Sequence, residues 1–115
     1  MLTVVETPEF IVRAERLMTV EEKSALINRM AASPASGDLI PGTGGARKLR
    51  LAGRRKGKSG GFRVITFFHN WGMPVFLLDI YGKNERIDLT EAEKNELRAV
   101  LKAIVDHYRK SRKNT

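Results

Sequence analysis

The chain has 115 residues, 42% of them hydrophobic, a length and composition that suit one domain with one core. It has no cysteine, which excludes disulfides, thiolate zinc sites and cysteine nucleophiles; no apolar run approaches the roughly 20 residues that cross a bilayer, and the N-terminus lacks the basic start and apolar core of a signal peptide. A formal charge of +8 points to a polyanionic partner, nucleic acid before an acidic metabolite, in a soluble intracellular protein.

Residues 1–6 (MLTVVE) are β-branched and followed by a break, which predicts a first strand. Thr7 then caps a helix, Pro8 suits its first position and Glu9 complements its dipole. Phe10, Ile11, Ala14, Leu17 and Met18 share one face of it. Thr19 and Glu22 have the spacing of a capping box, opening a second helix with Leu26, Ile27 and Met30 apolar and an end near Ser33 and Pro34. Glu9, Glu15, Glu21 and Glu22 lie at helix starts or on polar faces, where carboxylates serve dipole and solvent, and carry no chemistry. Residues 33–46 are rich in Gly, Pro and Ser and read as a connecting loop. Gly42, Gly44 and Gly45 are turn glycines there, since no Gly-Lys-Ser/Thr follows them as a phosphate-cradling loop requires.

Residues 47–63 (RKLRLAGRRKGKSGGFR) organise the rest. They hold eight cations and no carboxylate, and no carboxylate occurs between Asp38 and Asp79. The other 13 Lys and Arg are matched by 13 Asp and Glu, so the whole net charge sits in this segment. A solvated loop would account for the charge run by itself, but strand-like sequence on both sides predicts a folded basic hairpin. In its first arm Leu49 and Leu51 face one way, Lys48 and Arg50 the other. Residues 53–61 form the glycine-punctuated connection. Residues 62–69 make the second arm, with Arg63, Ile65, Phe67 and His69 on one face and Val64, Thr66 and Phe68 on the other. After a turn at 70–74, residues 75–81 (VFLLDIY) form a third antiparallel strand, apolar on both faces. Thr90 and Glu93 repeat the capping-box spacing, and Leu97, Val100, Leu101, Ile104, Val105 and Tyr108 form the stripe of a final helix. Arg109, Lys110, Arg112 and Lys113 begin a basic tail.

This order brings Lys48, Arg50, Arg63, Tyr81, Lys83 and Arg86 onto or beside one sheet. Cations and a phenol fit charge stabilisation better than metal chemistry, for which His69 and His107, on different elements, offer no cluster. RNA supplies its own nucleophile in the 2′-hydroxyl; a protein that cuts it must orient that group, neutralise the phosphorane and move two protons. Arg and Lys can neutralise, and a Tyr or Lys can move protons where neighbouring cations depress its pKa. From composition alone Tyr81 is a strand-end aromatic that anchors the sheet.

Three segments, GDLIPGTGGARKLR at 37–50, GKSGGFRVITFF at 57–68 and LLDIYGKNERIDLTEAEK at 77–94, resemble in order and spacing the RelE/ParE superfamily of bacterial toxins, HigB-like members most closely. The resemblance covers about residues 1–106. It implies a small α+β RelE-like fold: a curved antiparallel sheet, made of the first strand and a three-strand meander, backed by two N-terminal helices and a C-terminal helix. The toxin domain would span residues 1–108, with a basic tail at 109–115. The implied activity is that of a cytoplasmic, ribosome-dependent mRNA endonuclease without cofactor or metal. The implied partners are the ribosome, mRNA and a helix-turn-helix, HigA-like antitoxin through which alone DNA is met; no membrane is involved. Residue by residue, Arg63 matches the family's phosphate-binding arginine, and Tyr81 and Lys83 its active-site edge. Lys48, Arg50, Arg54, Arg55, Lys56 and Lys58 fall where the family contacts RNA, and Arg86 adjoins them. The C-terminal tyrosine of some RelE members has no counterpart, which leaves the general base open. Two other readings stay open, a non-catalytic ParE-like inhibitor of gyrase and a plain RNA-binding protein.

Overall fold

The structure is a computed structural model that describes residues 1–53, 61–86 and 88–113, with the side chains of 112 and 113 left aside. Its elements are β1 (Val4–Glu6), α1 (Pro8–Leu17), α2 (Val20–Ala32), β2 (Asp38–Leu39), β3 (Ala46–Ala52), β4 (Gly61–Phe67), β5 (Val75–Gly82) and α3 (Glu91–Lys113). The caps form as the sequence requires. The Thr7 hydroxyl accepts from Phe10 N–H and donates to the carbonyls of Leu77 and Leu78, tying the start of α1 to β5. Thr19 and Glu22 close a full capping box on α2, and Thr90 and Glu93 close one at the start of α3.

Strands order as β1-β5-β4-β3-β2 in one sheet. From β3 to β5 it is the expected antiparallel three-strand meander, but β1 runs parallel to β5, pairing Val4–Glu6 with Val75, Phe76 and Leu77. The sheet is therefore mixed. The chain leaves β1 through two helices and re-enters the sheet at its far edge, so no tight turn dictates the direction of β1. The second departure is β2 inside the expected loop, paired with Arg47 and Lys48 of β3. Thr43, fully buried, holds the intervening turn by donating to Ile40 C=O and accepting from Ala46 N–H. Gly37 precedes it at φ 95°, where a Cβ would sit 2.9 Å from the Lys48 carbonyl, so only glycine fits.

Both faces of the sheet are packed. Leu49, Val64, Val75, Leu77 and Ile80 meet Phe10 and Ala14 of α1 and Leu26 and Met30 of α2. On the opposite face Ile65, Phe67, Phe76 and Leu78 meet Ile40, Leu89 and Leu101, with Leu97, Ile104, Val105 and Tyr108 of α3 around them. One irregularity positions the site. Ile65 pairs with Asp79 but Thr66 with Leu77, so Leu78 is an extra residue in β5. By strict alternation Ile80 would follow Phe76 and Leu78 onto the α3 face. The bulge reverses the phase, sending Ile80 to the α1/α2 core and Tyr81 to the α3 face.

Candidate active site

β1 covers β5 only as far as Leu77, leaving residues 79–82 as an open edge. Its two outward amides are satisfied locally: Ile80 N–H donates to the Asp79 carboxylate at 2.8 Å and Gly82 N–H to Glu85 at 2.9 Å. These carboxylates close the edge to strand addition. The face beside that edge carries the cations.

Arg50 of β3, Arg63 of β4 and Tyr81 of β5 lie directly opposite one another in a single cross-strand row. Lys48 shares their face two pairs along the ladder, opposite Ile65. Two arginines directly across a strand pair repel each other, an arrangement that an anion between them relieves. Lys83 joins the row from the end of β5, where its N–H donates to Gly61 C=O at 3.1 Å. A Cβ on Gly61 would lie 3.4 Å from Lys83 Cδ and 3.9 Å from Arg63 Nη1, so the two side chains converge over a position that has no side chain of its own. The Arg63 guanidinium donates to Phe62 C=O at 3.2 Å.

Tyr81 is 1% exposed, and its hydroxyl has no hydrogen-bond partner among the described residues. The Arg86 guanidinium stacks 4.5 Å above its ring. Burial pushes the phenol above its ordinary pKa and outweighs the opposing pull of Arg86 and Arg63. The condition under which this phenol could move protons as a base, depression by neighbouring cations, is therefore not met. At neutral pH Tyr81 is a protonated donor, not a base.

The sequence reading also missed the carboxylates that hold this face. Arg86 pairs with Asp79 at 3.3 Å and with Glu93, and Arg13 reaches Asp79 from α1 at 3.4 Å. Glu93 divides its oxygens between the cap at Thr90 and Arg86, which clamps the start of α3 to the end of β5. The Thr90 N–H and Arg86 hold its carboxyl below the usual glutamate range. Lys48 pairs with Asp88 at 3.6 Å. The Leu89 N–H, then Lys48, hold the Asp88 carboxyl low. The only advance signal was the acidic character of residues 79–93 beside a basic segment. Arg54, Arg55, Lys56 and Lys58 lie outside the described residues. His69 and His107 are both exposed, each beside an aromatic ring, at Phe67 and Tyr108.

A groove of about 570 Å³ opens between the starts of α1 and α3, on the far side of the Arg86 clamp. Arg63, Tyr81 and Lys83 do not line it; Glu9, Asp79, Glu93 and Glu96 do. Those carboxylates would repel a nucleic acid, so the cationic row is the better site despite being shallower.

A mixed sheet between helices, with a cationic row around a buried phenol, defines a small α+β protein carrying one concentrated basic face. Over residues 9–113 the chain matches the family model described as the RelE toxin of the RelE/RelB toxin–antitoxin system. It belongs to the RelE toxin family. Its fold is similar to that of E. coli toxin RelE, solved as a mutant in the free state, with a TM-score of 0.56 and 15% sequence identity over 88% of this chain and 96% of that one. Among the described residues, no helix is long and apolar enough to cross a membrane.

Proposed function

We propose that this toxin is a ribosome-dependent mRNA endonuclease of the HigB-like branch, acting in the cytoplasm and neutralised by a helix-turn-helix, HigA-like antitoxin. The observation that carries the reading is the convergence of Arg63 and Lys83 over Gly61, in the same row as Arg50 and Tyr81. A phosphodiester seated there meets positive charge from β3, β4 and the end of β5, with the Tyr81 phenol buried beneath it in β5.

In this mechanism the substrate 2′-oxygen attacks the adjacent phosphorus while the bond to the 5′-oxygen breaks. The 2′-hydroxyl proton passes to a base and a proton is delivered to the departing 5′-oxygen. Arg63 and Lys83 neutralise the phosphorane, where charge grows most between ground and transition state. Tyr81, kept protonated by burial, has its hydroxyl covered in the free chain; where substrate binding uncovers it, it donates a hydrogen bond to a phosphate or ribose oxygen and fixes the in-line geometry. The general base is a group of the substrate complex or a loop residue, since no described carboxylate is free within the row. Expression of the chain in growing bacteria, with primer extension on translated transcripts, tests the reading. Discrete cuts that appear on expression and disappear on co-expression of the antitoxin support it. Intact transcripts with inhibited gyrase would support the ParE-like alternative instead.

A further inference from the structure

Of the described cations on this face, Arg86 is built into a clamp by Asp79 and Glu93, whereas Arg50, Arg63 and Lys83 have no ion-pair partner among the described residues. Lys48 is a third case. Its partner Asp88 comes from the connection between β5 and α3, not from a neighbouring strand, and Asp88 is 54% exposed while Lys48 is 18% exposed. Accepting from Leu89 N–H at 2.9 Å holds the carboxylate in place over the ammonium. Asp88 thus reaches into the part of the face where Arg50, Arg63 and Lys83 have no ion-pair partner among the described residues.

We propose that Asp88 is an internal phosphate surrogate, a carboxylate that occupies Lys48 in the free toxin and must be displaced before an RNA phosphate binds there. The inference rests on the RNA-cleaving reading above and adds a self-shielding ion pair to it. An ion pair this exposed is weak, so a phosphate that also engages Arg50 and Arg63 displaces it readily. A free toxin then binds stray RNA less than its charge would suggest, while a ribosome-positioned strand overcomes the shield.

The test is equilibrium binding of a 2′-O-methyl RNA oligonucleotide, which cannot be cleaved, across a salt series. Asp88→Asn keeps an oxygen for the Leu89 N–H but removes the charge. It should bind about three- to tenfold more tightly at low salt, because the phosphate no longer has to displace a carboxylate from Lys48. Asp106→Asn, on α3 and paired with Lys102, makes the same change in net charge away from the face and should alter binding less than twofold. The gain at Asp88 should vanish in a Lys48→Gln background. Equal binding by wild type and Asp88→Asn, an equal gain from Asp106→Asn, or a gain that survives Lys48→Gln would overturn the surrogate alone. Absence of RNA binding by every form would overturn the RNA reading with it.

Discussion

Tyr81→Phe separates stability from function in opposite directions. The hydroxyl removed belongs to a side chain 1% exposed and has no partner among the described residues. Burying an unpaired hydroxyl costs about 1–3 kcal/mol. Phenylalanine keeps the ring, its packing and the stacked Arg86 guanidinium. The variant should therefore gain about 1 kcal/mol, raising the thermal midpoint by about 4 °C for a domain of this size. The alkaline limb gives an independent check. A phenol whose folded pKa lies above its unfolded value of 10.0 stabilises the fold below that pH, and the contribution is lost as pH rises through the folded value. Wild type should lose stability above pH 10.0 faster than Tyr81→Phe, measured by circular dichroism melts. Cleavage should fall by about 10²-fold, the cost of losing a group that holds the in-line geometry. A variant that melts lower than wild type would mean the hydroxyl has a partner in solution, and the reasoning from its burial would fail.

Gly61→Val should cost about 1–3 kcal/mol, since its Cβ would lie 3.3 Å from the Leu51 backbone carbonyl, and among the molecules still folded it should cut activity by about 10²-fold by pushing Lys83 and Arg63 apart; unchanged cleavage would remove their convergence from the mechanism. Arg86→Gln leaves Asp79 of β5 with Arg13 and Glu93 with its Thr90 cap but unties β5 from α3, and should cost about 0.5–1 kcal/mol in denaturant unfolding. In wild type the Glu93 contribution is present above its unfolded pKa of 4.5 and lost as pH falls through the lower folded value; Arg86→Gln should flatten that acid limb. Replacing Arg54, Arg55, Lys56 and Lys58 together by Gln should reduce the salt slope of RNA or ribosome binding by about 0.7–0.9 for every phosphate that is no longer neutralised, and folding should survive. An unchanged slope would take the loop off the binding surface.

The features legible in the sequence were those with local causes. Thr7-Pro8, Thr19 with Glu22 and Thr90 with Glu93 announce helix starts because each cap is made by residues three apart. The alternation of Leu49 and Leu51 with Lys48 and Arg50 fixed one apolar and one cationic face for β3. What escaped depends on distant partners. The direction of β1 is set by where two helices deliver the chain, and β2 is two residues held by a threonine-centred turn. The bulge at Leu78 has no glycine or proline to mark it, yet it alone puts Tyr81 on the face of Arg63. The rise in the Tyr81 pKa follows from burial that adjacent cations in sequence do not reveal. Asp79 and Asp88 looked like ordinary polar residues and Glu93 like a cap alone, because their pairing with Arg86 and Lys48 exists only after β5 and α3 have met.

The central claim, that Arg63 and Lys83 act on the phosphorane, is tested most directly by cleavage of ribosome-bound mRNA with Arg63→Ala and Lys83→Ala beside wild type. Primer extension gives the rate, and end-group analysis gives the chemistry. Each substitution should slow cutting by about 10²–10³-fold, the cost of one preorganised charge donor, with far smaller change in ribosome affinity. Wild-type products should carry a 2′,3′-cyclic or 3′-phosphate and a 5′-hydroxyl. Undiminished cutting by both variants, or products with 5′-phosphate ends, would contradict it.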